Sequence, residues 1–256
     1  MKKSSYLPVV MLGLTMICAL SFMYWNELSG QSVTASSSVN GRELPIYSVR
    51  TEKPQISLSF DAAWGNEDTQ MILDTLAAND VKVTFFATGG WVEKYPEDVK
   101  KIIAAGHDFA NHSENHKQMS TLSEAECKEE IMKVHERVKE LTGYEMNLFR
   151  PPYGDYDNKV INCAYACGYY PIQWSIDSLD WKDYGVADII SRVCDSKNLK
   201  NGAIILCHNG AKYTAQALDT MIKNLKAKGF ELVPISQLIY KENYHMEADG
   251  TQVSDL

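Results

Sequence analysis

The sequence predicts an α/β chain: a (β/α)7-type barrel of parallel strands, closed or nearly closed, preceded by an N-terminal transmembrane or signal segment. Three observations lead there. Strand-like and helix-like segments alternate through the body, which implies a parallel sheet with helices outside. Polar residues able to do chemistry recur at the ends of the strand segments, where barrel enzymes gather their active sites. An uncharged apolar run stands before the body and outside its pattern.

The chain has 256 residues, 45% hydrophobic and 23% charged. This fits one domain with appendages and excludes a wholly disordered chain. The net charge is −8; Lys2 and Lys3 against Glu27 leave +1 on the first thirty residues and −9 on the rest. A body that acidic argues against nucleic acid or a polyanionic surface as partner, and suits a neutral substrate.

Residues 1–30 read as a membrane segment. From Tyr6 to Trp25 there is no charge, and about 20 apolar residues span a bilayer. The run is longer than a signal-peptide core and lacks a clean small-residue cleavage site. An uncleaved anchor is therefore favoured over a cleaved signal, and lysines before the run suit a cytoplasmic N-terminus. The expected location is a single-pass membrane protein with an extracellular body, or else a secreted one. Bulky Ile17 before Cys18 argues against lipidation. Residues 31–52 are a Ser/Thr-rich linker and lead-in, residues 53–240 the folded domain, and residues 241–256 a polar tail expected to fray.

Within the body, strands are expected at 55–60, 82–87, 107–111, 148–150, 171–175, 202–207 and 231–234. Helices are expected at 69–79, 96–105, 123–142, 158–168, 186–194 and 213–228, and residues 235–240 follow the last strand. Ser123 and Glu126 form a possible capping box, with Gly143 past the helix end. Cys127, Cys163, Cys167, Cys194 and Cys207 are odd in number and contain no CxxC. Small buried hydrophobes are the favoured reading, disulfides the alternative.

The strand ends carry Asp61, His112, Arg150, Asp177, Asp180 and His208. His112 and His116, spaced i, i+4, suit one face of a helical turn and together can chelate a divalent ion. Asp61 is placed to take a proton from water, or else caps the next helix. Arg150, before two prolines and Tyr153, can orient a carboxylate, and the Tyr153 amide can point at an oxyanion. Asp177 and Asp180 can raise the pKa of His208, making it a general acid. Trp181 offers a platform for a sugar ring. Each residue alone also has an ordinary structural reading.

In order, SFD, HSENH, RPPY, DSLDW and LCH resemble the polysaccharide deacetylases of carbohydrate esterase family 4, the NodB-homology domain. The resemblance covers roughly residues 53 to 240, and the wording around Asp61 and Asp180 is most similar to the sporulation-associated branch. It implies a distorted barrel of about seven parallel strands and metal-assisted hydrolysis of N-acetyl groups on sugar polymers. Asp61 would be the general base and His208 the general acid. Arg150 would orient Asp61, and Asp180, with Asp177 the alternative, would tune His208. His112 and His116 would hold a divalent metal, usually zinc. The Tyr153 amide would help stabilise the oxyanion, and Trp181 and Leu206 would shape the acetyl pocket. The implied partner is a cell-wall glycan of N-acetylglucosamine or N-acetylmuramic acid. One departure stands out. The family pattern has two consecutive aspartates, the second a metal ligand; here the second position is Ala62, with Glu67 and Asp68 as conceivable substitutes.

Overall fold

A computed structural model describes residues 38–256; the expected membrane segment and the first part of the linker lie outside them. Among the described residues no helix is long and apolar enough to cross a membrane.

The first strands are short: β1 (Ser38–Val39) pairs antiparallel with β2 (Arg42–Glu43), and β3 (Ser48–Val49) follows. The main sheet comprises β4 (Gln55–Ala62), β5 (Thr84–Ala87), β6 (Asp108–Asn111), β7 (Leu148–Phe149), β8 (Tyr170–Pro171), β9 (Ile176–Asp177), β10 (Ile204–His208) and β11 (Glu231–Leu232). Its order is β8-β7-β6-β5-β4-β10-β9, with β11 on the start of β4, and every pairing is parallel. The result is an α/β fold around a curled parallel sheet. Burial explains the central strand: β4 is buried at every position after Gln55, as a parallel strand covered on both faces must be.

Helices cover the outside. The Glu124–Thr142 helix begins at the expected capping box, with Ser123 and Glu126 bonded reciprocally, and ends at left-handed Gly143. Such a cap stabilises by about 1 kcal/mol. The Asn158–Ala166 helix starts on the Asp157 side chain.

Three expectations need correction. The strand expected at 171–175 is two short strands, β8 and β9; between them Ile172 pairs with Ile46 and Gln173 donates to the Ile46 carbonyl at 2.8 Å. The lead-in segment thus takes backbone bonds that a longer strand would have made. The tail does not fray. Its β12 (Tyr244–Met246) and β13 (Thr251–Ser254) form a hairpin, and β13 adds parallel to β3. Burial of Tyr244 and Met246 compensates for its polar sequence. A six-residue helix, Gly89–Lys94, also follows β5.

Gly202 allows β3 to close in. Its φ is +80°, and a Cβ there would stand 1.6 Å from the Val49 carbonyl oxygen, while Val49 N–H donates to the Gly202 carbonyl at 2.9 Å. No other residue type fits that approach. All five cysteines of the body are free thiols, four buried and Cys167 half-buried.

Candidate active site

The carboxyl ends of the strands converge on a cavity of about 690 Å³. Asp61, His112, His116, Tyr153, Asp177, Trp181, Leu206 and His208 line it. Parallel register makes Asp61 and His208 direct neighbours on β4 and β10. Arg150 and Asp180 stand fully buried behind them.

Arg150 Nη1 donates to Asp61 Oδ1 at 2.6 Å. Its Nη2 donates to Ser59 Oγ at 2.9 Å and to the Gln173 carbonyl at 3.2 Å. The guanidinium also lies 4.0 Å from the Phe86 ring centroid, a cation–π contact. Burial pushes the Asp61 pKa up, but Arg150, helped by His112 and His208, more than reverses this and holds it below the usual carboxylate range. Asp61 is therefore an oriented, ionised base.

His208 is built the opposite way. Its Nδ1 lies 2.7 Å from Asp180 Oδ1. Asp180 Oδ2 accepts from the His208 amide at 2.7 Å and from Thr214 Oγ1 at 2.6 Å. Burial pushes the His208 pKa down, but the hydrogen bond and charge of Asp180, with Asp61 and Asp177, raise it above the ordinary histidine value. Asp177 makes no such contact; its Oδ1 accepts from the Leu179 amide at 2.8 Å. Of the two expected tuners, geometry selects Asp180.

His112 and His116 do meet, with ring centroids 4.9 Å apart. They do not share a helical turn, as the spacing suggested. The segment is a loop in which Ser113 and His116 take left-handed conformations, φ +64° and +54°. The Ser113 amide bonds the Asn111 side chain, and the His116 amide the Ser113 hydroxyl. Tyr153 is left-handed as well, φ +61°, with its ring 4.5 Å from that of His116. Such residues cost on the order of 1–3 kcal/mol each and concentrate at functional sites.

The Arg150 carbonyl is 2.8 Å from His112 Nδ1. A carbonyl only accepts, so Nδ1 carries the proton and Nε2 presents a lone pair to the cavity, 3.4 Å from Asp61 Oδ2. Burial pushes His112 down to about 4, with Asp61 opposing and His116 reinforcing; burial also lowers His116. Both are neutral near pH 7, the form that ligates metal.

As a metal site the set falls short. Among the described residues no three His, Cys, Asp or Glu side chains stand together as a metal-binding group, whereas a catalytic zinc normally has three protein ligands. Ala62 is fully buried in the apolar core. Neither Glu67 nor Asp68 lines the cavity: the Glu67 carboxylate packs against Gly65, and Asp68 Oδ1 accepts from the Gly210 amide. The two histidines suit a metal; the complete donor set does not fit a resident one.

Two tryptophans are half exposed at the mouth, Trp181 at 52% and Trp64 at 54%. Sequence reading found the first and passed over Trp64, which lies in the AAWG turn directly after Ala62. An exposed-position aromatic three residues beyond a strand-end carboxylate was the available signal.

A curled parallel sheet with a carboxylate–arginine pair, a histidine–carboxylate pair and two further histidines at its strand ends defines a carbohydrate esterase class of site. The polysaccharide deacetylase profile matches residues 48–172, and this chain belongs to that family. It is 31% identical to the peptidoglycan-N-acetylmuramic acid deacetylase PdaA of Bacillus subtilis, over 78% of this chain and 77% of that one. It is 33% identical to the uncharacterized protein YlxY of Bacillus subtilis over 76% of this chain, but spans only 60% of that relative's length. Among solved structures, it resembles a family 4 pseudoenzyme from Bacillus anthracis, with a TM-score of 0.73 and 34% identity over 77% of this chain and 69% of that one.

Proposed function

We propose that this protein is a hydrolase of carbon–nitrogen amide bonds that removes acetyl groups from N-acetylated sugars of peptidoglycan or a related cell-wall glycan. One observation carries the reading. A carboxylate favoured in its ionised form and an imidazole favoured in its protonated form face the same cavity from adjacent strands, Asp61 on Arg150 and His208 on Asp180. Asp61 takes a proton from water as its oxygen bonds to the acetyl carbon. His208 gives its Nε2 proton to the sugar nitrogen as the carbon–nitrogen bond breaks, releasing acetate and the free amine. The Tyr153 backbone suits the oxyanion, and Leu206 and Trp181 suit the acetyl and sugar faces. His112 and His116 supply two of the three protein donors that a divalent ion, zinc first, would need.

The test is acetate release from purified peptidoglycan and N-acetylglucosamine oligomers. His208→Ala should lower it by about 10²–10⁴-fold, the usual worth of a positioned acid. A second reading is favoured by Ala62: a non-catalytic relative that binds glycan through the same cavity. Under that reading neither the natural chain nor the variant releases acetate, and both bind glycan alike.

The proposal includes location: the apolar run anchors the chain in the membrane with its body outside, or is removed on secretion. A role in spore formation rests on the likeness of sequence wording. Protease accessibility of the body in intact cells, compared with lysed ones, tests the location.

A further inference from the structure

The turn after β4 holds an aromatic side chain in a place that the acid–base chemistry does not explain. The Trp64 ring lies 5.7 Å from that of His208 and 6.0 Å from that of His116. It therefore spans the two sides of the cavity. More than half exposed, it makes little contribution to the core, and an uncovered indole leaves a large apolar area in water.

Its backbone is nevertheless clamped. The Gly65 carbonyl accepts from Trp91 Nε1 and from Asn209 Nδ2, both at 3.0 Å. Asn209 is fully buried, and its Oδ1 accepts from Thr69 Oγ1 at 2.9 Å. Gly210 packs so closely that a Cβ there would stand 3.3 Å from the Gly65 amide nitrogen; its φ is +88°. The turn is thus tied to a core tryptophan on one side and to the two residues after His208 on the other. A half-exposed indole on an immobilised backbone loses little entropy when something covers it, which is the property of a binding platform.

We infer that Trp64 is a specificity-determining residue of this cavity, a flat stacking wall for the apolar face of a pyranose ring presented between His116 and His208. The inference rests on the glycan reading above. It commits the site to a ligand with a planar apolar face, and it sets the depth to which a sugar enters. With Trp181 half exposed on the same cavity, the mouth offers two aromatic surfaces, as chain-like glycans require.

The test is calorimetric titration of the full chain with the tetramer of N-acetylglucosamine. Trp64→Ala should weaken binding by about tenfold or more, the loss expected on truncating a tryptophan anchor. Trp64→Phe should stay within about threefold of the natural chain, because an aromatic face is retained. A merely structural role would instead lower the unfolding temperature of both variants and leave the affinity of the folded fraction unchanged. Without any substitution, the tetramer should protect Trp64 from oxidation by N-bromosuccinimide, read by peptide mass spectrometry. Tetramer binding with Trp64→Ala within about twofold of the natural chain, or unprotected Trp64 under saturating tetramer, overturns the inference while leaving the glycan reading intact. Failure of the natural chain to bind either tetramer or peptidoglycan fragments overturns both.

Discussion

The two sides of the cavity are built to different standards. On one side, Asp61 and His208 each have a fully buried partner of opposite charge, and every partner is held by further hydrogen bonds. On the other, His112 and His116 converge through strained backbone yet find no third donor, and Ala62 stands where the family pattern has a carboxylate. The paired carboxylate and imidazole are therefore fully supported, while the wall of two histidines is not.

The comparison breaks most sharply at Arg150. Arg150→Met leaves a buried carboxylate without its cation, which costs about 3–5 kcal/mol. Urea unfolding at pH 7 reads this loss. The sign with pH is fixed by the lowered Asp61 pKa. Stability from this pair is present above the unfolded carboxyl value of about 3.9 and vanishes as pH falls through the lower folded value. The variant should lose that acid-sensitive increment.

Asp180→Asn probes the opposite member. His208 is raised in the folded chain, so the stability from its pairing is full below about 6.5 and disappears as pH rises through the higher folded value. Acetate release should fall over that upper range in the natural chain. The variant should begin its fall at lower pH, because burial then acts with less opposition, and lose about 10²-fold at its best pH. An unshifted profile would remove Asp180 from its tuning role.

Ala62→Asp sharpens the weak side. Zinc titration should show affinity rising by about tenfold or more, or about 1.4 kcal/mol, when a carboxylate joins the two imidazoles as third donor. Unchanged affinity would mean that the buried position cannot reach the imidazoles. The smallest effect belongs to Asp177→Asn. Its carboxylate is raised mainly by burial and caps the Leu179 amide. Acetate release should change by less than about threefold, since it only adds a distant charge to His208.

What the sequence made legible was local. A capping box lies within four residues, and strand-end residues lie one step past an apolar run, so both were readable. The convergence of His112 and His116 was expected for the wrong reason: the i, i+4 spacing suggested a helix, whereas side-chain-to-backbone bonds fold a loop. Trp64 carried only a weak local signal, its place three residues past Asp61; its clamp comes from Trp91 and Asn209, distant in the chain. The tail was misread because its partner strand lies some two hundred residues earlier, and hydrophobic patterning cannot report pairing at that separation.

That late pairing has a mechanical consequence. A pull on the chain ahead of Leu44 meets the Ile46 bridge to Ile172 and then β3, laid parallel against β13. Tyr47 N–H bonds the Gly250 carbonyl at 2.9 Å and Arg50 N–H the Gln252 carbonyl at 2.8 Å, while the Ser48 and Thr251 hydroxyls lie 3.1 Å apart. These bonds lie across the line of force, so they resist in shear and must fail together rather than one at a time. The final residues of the chain share that load with the main sheet, which Ile46 and Val49 reach directly through Pro171 and Gly202.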